Sequence, residues 1–158
     1  MDPLILVDQL REERDRFFST LSLVRPESLT TPGLLGEWSG RELVAHLGYW
    51  TGYAVEAIHA VESGRGDEFG ADRPAVDDVN ATVARVARET SLASVRKREA
   101  ASVEALVERL HRIDPSLLDV RVPHVRWTLA DGIRLNGPDH YREHADELVA
   151  VLGETARG

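Results

Sequence analysis

Six histidines lie along the chain, at positions 46, 59, 111, 124, 140 and 144. His140 and His144 stand four residues apart, and on a helix that spacing brings two imidazole nitrogens within reach of one metal ion. At an idealised step of about 100° per residue, both lie on the edge of an apolar arc centred on Tyr141, Ala145, Leu148 and Leu152. By the same count His46 flanks an arc made by Leu43, Trp50, Ala54 and Val61. A third imidazole from a neighbouring helix completes a three-ligand set with positions open for water or substrate. Three half-buried imidazoles without a metal would repel when protonated and lack partners when neutral. The spacing leaves a plainer reading open, in which each histidine is a polar residue at a helix boundary with a local hydrogen bond.

Other groups carry weaker signals. Tyr49 and Tyr53 follow His46 by one and two turns. They are candidates to donate hydrogen bonds to a metal-bound substrate, or simply packing at a helix seam. Asn80 and Arg85 are candidates to line the pocket from the middle of the chain, or exposed residues without a role. Glu147, one turn beyond His144, suits an acceptor for an imidazole N–H or a solvated face. The strings Glu56 to His59 and Glu108 to His111 have the spacing of a di-iron bundle. Both fall on the polar faces of their helices, which counts against that site. Imidazole must be neutral to bind metal, so a triple-His site predicts affinity that falls between about pH 7.5 and about pH 5.5 by more than about one proton's worth.

The chain has no cysteine. Disulfides, thiolate ligands and a cysteine nucleophile are excluded, and any thiol in the chemistry must arrive as a cosubstrate. No Ser-His-Asp ordering, phosphate loop or dinucleotide fingerprint is present.

Helices must position the histidines. Leu4, Val7, Leu10, Phe17, Leu21 and Val24 recur at helical spacing after Asp2 and Pro3, and Pro26 ends that helix. Ser39 and Glu42 form an S-x-x-E capping box that opens a second helix, with Leu43, Leu47, Trp50, Ala54, Ala57, Ile58 and Val61 on one side. A Gly- and Asp-rich excursion covers residues 63–74. A short helix is expected from about Val76 to Arg88, and a restart near Ser91 leads into a helix with Val95, Ser102, Val103, Leu106, Leu110 and Ile113 inward. The stretch from Leu118 to Trp127 reads as loop. Asn136, Gly137 and Pro138 read as the N-cap and first turn of a last helix running to about Glu154. Four long amphipathic helices with these connections predict one all-α four-helix bundle domain over residues 1–158.

The 158 residues, 42% hydrophobic and 29% charged, have the balance of a globular protein. A net charge of −8, with no basic run longer than Arg96-Lys97-Arg98, argues against nucleic acid as a partner. No apolar run approaches the roughly 20 residues that span a membrane. The start of the chain lacks signal-peptide character, so a cytoplasmic location is expected.

The string Gly36-Glu37-Trp38-Ser39-Gly40-Arg41-Glu42-Leu43-Val44-Ala45-His46-Leu47, with Trp50, resembles the second-helix signature of the DinB/YfiT-like metal-dependent superfamily. His140-Tyr141-Arg142-Glu143-His144 resembles its last-helix motif, and Asp77-Asp78-Val79-Asn80 the start of its third helical segment. The resemblance implies an up-down-down-up bundle with Zn or Ni held by His46, His140 and His144, and a homodimer, as in many relatives. It also implies a small-molecule substrate and, from characterised branches, transfer of a mycothiol-, bacillithiol- or glutathione-type thiol. Other branches serve natural-product pathways or self-resistance. The isomerase branch places Glu where this chain has His140 and carries an additional C-terminal domain, a departure that counts against isomerase activity.

Three functions are therefore carried forward. The first is metal-dependent thiol transfer. The second is metal-dependent hydrolysis or detoxification of a small metabolite. The third is non-catalytic binding of a small hydrophobic ligand.

Overall fold

In the computed structural model, which describes residues 1–157, helix α1 spans Pro3–Leu21. The Asp2 carboxylate caps it by accepting the Leu4 N–H at 2.9 Å. Its inward face is Leu6, Val7, Leu10, Phe17 and Leu21, while Leu4 is exposed, so the buried stripe is shifted from the expected one. A single 3-10 turn, Pro26–Leu29, follows. Helix α2 spans Gly40–Glu62, and the Glu42 carboxylate accepts the Ser39 backbone N–H. All seven of the apolar residues expected on one side of α2 are buried. Helix α3 is Val76–Arg88, with the expected bounds. Helix α4 is Leu92–Arg112, capped where the Ser91 hydroxyl accepts the Ser94 N–H.

The segment after α4 differs from the sequence reading. A 3-10 turn at Pro115–Asp119 leads into two short antiparallel strands, β1 (Arg121–Val122) and β2 (Trp127–Thr128). Arg126, at φ 61°, makes the turn between them. Helix α5, Leu129–Asn136, then precedes helix α6, Pro138–Arg157. Asn136 is thus the last residue of α5 rather than the cap of an isolated last helix. Pro138 has no N–H and cannot extend the α5 ladder. Gly137 turns the chain where the backbone is crowded: a Cβ there would stand 2.9 Å from the Ile133 carbonyl oxygen.

Helix directions follow from cross-helix neighbours. Along α2 and α4, Arg41 meets Thr90, Gly48 meets Glu99, Gly52 meets Ser102 and Glu62 meets Arg109, so the two run parallel. Along α1 and α6, Glu13 meets Arg142, Phe17 meets Tyr141 and Arg16 meets Asp146, also in parallel. Helix α1 opposes α4, since Arg14 pairs with Glu99 while Leu10 shares Gly137 with Leu106. The result is an up-down-down-up four-helix bundle of α1, α2, α4 and α6. Its core includes Leu10, Phe17, Leu47, Ile58, Leu106 and Tyr141. Each such fully buried aliphatic or aromatic side chain stabilises the fold by roughly 1.5–3 kcal/mol.

Two features set the spacing of the site. Gly48 lets α2 approach α4 closely, since a Cβ at that position would lie 3.0 Å from the Glu99 Cα. Glu99 itself is 1% exposed and holds three helices together. Its carboxylate accepts both Arg14 Nε (2.7 Å) and Nη2 (2.8 Å) from α1 and the Tyr141 hydroxyl (2.6 Å) from α6. Tyr141 lies between His140 and His144 in sequence, so this network fixes the rotation of the helix that carries both histidines.

Candidate metal centre

His46 enters from α2, two turns after its cap, while His140 and His144 enter from the first two turns of α6. The three rings converge through their Nε2 atoms. His46 Nε2 is 2.8 Å from His140 Nε2, which is 3.0 Å from His144 Nε2. One ligand atom from each ring lies within 4.8 Å of the others, and these three residues form a group able to hold a metal ion. Trp38 packs beside His46 with ring centroids 4.8 Å apart.

Hydrogen bonding among the rings cannot satisfy this arrangement. A neutral imidazole carries one N–H and one lone pair. His140 Nε2 can donate to one neighbour or accept from one neighbour, so its second close contact lacks a matching hydrogen or lone pair. A cation resolves the conflict by accepting all three lone pairs. Two of the rings are also kept neutral. Burial lowers the pKa of His46 to about 3, helped by the nearby His144 and opposed slightly by Asn80. Burial lowers that of His140 to about 2, helped by His46 and His144. Both rings therefore keep a free lone pair at neutral pH. On the far side of His144, Nδ1 faces Glu147 Oε2 at 3.3 Å, a pairing that leaves the Nε2 lone pair for a ligand. The residues present fit a divalent ion bound through three imidazoles.

The histidines border an open cavity of about 450 Å³ whose wall includes Trp38, Trp50, Asn80, Asn136 and Glu143. The Trp50 indole donates to Asn80 Oδ1 at 2.8 Å and ties α3 to this wall. Asn80 is thus placed at the cavity, as the sequence suggested. Arg85 is exposed on α3 and does not line it. Tyr49 and Tyr53 do not line it either. They share a flank with His46, but a helix rises about 1.5 Å per residue, so Tyr53 sits roughly 10 Å further along the axis. There the interior is filled by the 63–75 segment. The Arg73 guanidinium covers the Tyr53 ring at 3.5 Å, and Phe69 packs against it at 4.7 Å. Tyr49 is 41% exposed and borders a separate, apolar cavity of about 300 Å³ with Val83, Val86 and Val95. His59, His111 and His124 are exposed, and so are Glu56 and Glu108.

The sequence reading passed over Glu99 and Asn136. Glu99 occupies the i+4 position from Val95 on the inward stripe of α4, and that spacing is the signal that could have found it. The α5 cap was also visible: Thr128 accepts the Asp131 N–H in a Trp-Thr-x-x-Asp string that parallels Trp38-Ser39-x-x-Glu42.

Fold and site together define a helical-bundle protein with a three-histidine metal-type centre between its second and last long helices. Residues 10–136 match the family described as Mycothiol maleylpyruvate isomerase N-terminal domain, and the chain belongs to that DinB/YfiT-like family. His46 falls inside the matched segment, and His140 and His144 fall beyond it. No curated protein matches the chain in sequence. Among solved structures, an uncharacterised protein from Escherichia coli UTI89 is similar with a TM-score of 0.80 and 17% identity, over 98% of this chain and 95% of that one. The colibactin self-resistance protein ClbS, solved in complex with a dsDNA, is similar with a TM-score of 0.75 and 16% identity, over 96% of this chain and 95% of that one. Both likenesses show the fold. No helix among the described residues is long and apolar enough to cross a membrane.

Proposed function

We propose that this protein is a metal-dependent enzyme that joins a low-molecular-weight thiol, of the mycothiol, bacillithiol or glutathione type, to a small electrophile. The observation that carries the reading is the convergence of three imidazoles at the edge of an open cavity in a chain with no cysteine. His46, His140 and His144 would bind the ion, Zn or Ni by resemblance to relatives. A bound divalent ion supplies Lewis acidity, which lowers the pKa of a thiol or water in contact with it. Glu147 orients the His144 ring. Trp38 shields His46 from bulk water, and Trp50 holds the Asn80 amide at the wall where it can meet a substrate.

The test combines elemental analysis with conjugation of a dinitrophenyl halide by metal-loaded and metal-stripped protein, with thiol added and omitted. The proposal expects one Zn or Ni per chain and a rate that saturates with thiol. It also expects a larger gain over free thiol at pH 6 than at pH 9, because a coordinated thiol loses its proton early. Equal rates for loaded and stripped protein would remove it.

A second reading, hydrolysis or detoxification of a small metabolite, is favoured by the shared fold with a self-resistance protein. Metal-dependent loss of the electrophile without thiol supports that reading instead. Binding to duplex DNA is not part of either proposal, since a net charge of −8 opposes it.

A further inference from the structure

Besides the three histidines, Glu143 is the one ionisable side chain in the lining of the cavity among the described residues, and no Lys or Arg contributes to that lining. Two arginines beside the lining residues already have partners. Arg142 turns to Asp139 at 2.8 Å and toward Glu13, and Arg73 lies stacked on the rings of Trp50 and Tyr53. Glu143 itself is exposed and makes no salt bridge among the described residues.

The remaining wall is apolar apart from two amides whose orientation is fixed. Indole N–H is a donor only, so the Asn80 atom that it meets must be Oδ1, which leaves the Asn80 NH₂ as a donor beside His46. A carbonyl is an acceptor only, so the Asn136 atom bonded to the Gly132 oxygen must be Nδ2, which leaves Oδ1 free to accept. The cavity thus offers aromatic faces from Trp38 and Trp50, one neutral donor, one neutral acceptor and one carboxylate. A site built for carboxylates or phosphates carries Arg or Lys forks or a helix N-terminus. This wall has no such fork; the start of α3 at Val76 and the first turn of α6 at His140 border it, so its preference rests on the Glu143 carboxylate set against those helix ends.

We infer that the cavity selects by charge: it takes an apolar or aromatic electrophile without an anionic group, neutral or cationic at the end beside Glu143, and Glu143 sets that preference. The inference rests on reading this cavity as the substrate site. A bound dication would by itself attract anions, and the Glu143 carboxylate opposes those whose charge projects into its side of the cavity. A cationic end gains the carboxylate, while Arg73 already occupies a face of Trp50.

The experiment measures binding of benzyltrimethylammonium, benzyl alcohol and benzenesulfonate by calorimetry and tryptophan fluorescence at pH 7.5 and low salt. Metal content is determined on the same samples. The cation should bind about two- to fivefold more tightly than the alcohol, the range set by one exposed ion pair, and the sulfonate should bind weakest. Glu143→Gln should bring cation and alcohol together, and Glu143→Lys should place the sulfonate first. Glu104→Lys, the same charge change on an exposed α4 position outside the cavity, should leave the order unchanged. An order that survives Glu143→Gln, a sulfonate that leads in the unaltered protein, or no binding of any probe overturns the inference. Metal bound without charge preference defeats this inference alone, and charge preference without metal defeats the metalloenzyme reading alone.

Discussion

His46 and His140 are separated by 94 positions in the chain, yet their Nε2 atoms lie 2.8 Å apart. Helix α2 brings one and α6 the other, and neither helix alone holds more than two of the three imidazoles. The arrangement is costly without a cation, and the predictions below follow from that cost and from the packing that maintains it.

Protein prepared with trace divalent metals should carry close to one Zn or Ni per chain. His46→Ala, His140→Ala and His144→Ala should each reduce occupancy strongly, whereas His59→Ala and His111→Ala, at exposed positions, should not. Full occupancy in the triple variant would sink the assignment. Elemental analysis of untagged protein decides it.

Glu147→Ala should weaken metal affinity by about 10–100-fold without abolishing binding, as expected when the partner that orients a ligating imidazole is lost. Competition with a calibrated chelator measures this. Unchanged affinity would mean that the 3.3 Å contact with His144 Nδ1 is incidental.

The pH dependence differs from that expected of ordinary imidazoles. His46 and His140 titrate at about 3 and about 2, below the window between pH 7.5 and pH 5.5. Neither ring should release a proton on binding metal there, so His46 and His140 should add nothing to the protons displaced per ion at pH 6. The same shifts act on the metal-free fold. Unfolded histidines take protons near pH 6.5, whereas the folded rings stay neutral, so the unfolded state binds more protons below that value. Stability is fully present above about pH 6.5. It is lost as pH falls toward about 3, at a rate on the order of 1 kcal/mol per pH unit for each ring. Denaturant titrations of stripped protein at pH 7 and pH 5 check the sign: greater stability at pH 5 would contradict it.

The Glu99 network should matter for stability more than any surface pair. Tyr141→Phe removes one hydrogen bond to a buried carboxylate and should cost about 1.5–3 kcal/mol. Glu99→Ala leaves the Arg14 guanidinium and the Tyr141 hydroxyl without their shared acceptor, and should cost about 3–5 kcal/mol. Urea denaturation reads both. A cost below 1 kcal/mol for Glu99→Ala would mean that the network contributes little beyond its packing.

Gly48→Val should force α2 and α4 apart, because even a Cβ there meets the Glu99 backbone at 3.0 Å. The expected loss is about 1–3 kcal/mol, despite the conformational advantage of replacing a helical glycine. Thermal melting beside Gly153→Ala, where a Cβ meets nothing within 4 Å, isolates the steric part.

Local physics made much of this protein legible from its sequence. Caps at Asp2, Ser39 and Ser91, the bounds of α3 and the inward stripe of α2 depend on neighbours within a turn or two, and each could be read from residue order. The three histidines were marked as inward-facing by periodicity, and the family motifs joined them into one set. What the sequence could not decide depends on which helix crosses which, and at what height. Tyr53 shares a flank with His46 but is held under Arg73 and Phe69, because the 63–75 segment packs over α2 two turns beyond His46. Glu99 can be buried on the stripe of α4 because Arg14, 85 positions away, supplies its counter-charge. The neutrality of His46 and His140 is likewise a tertiary property, since an imidazole keeps its ordinary pKa until the fold removes its water and places other imidazoles beside it.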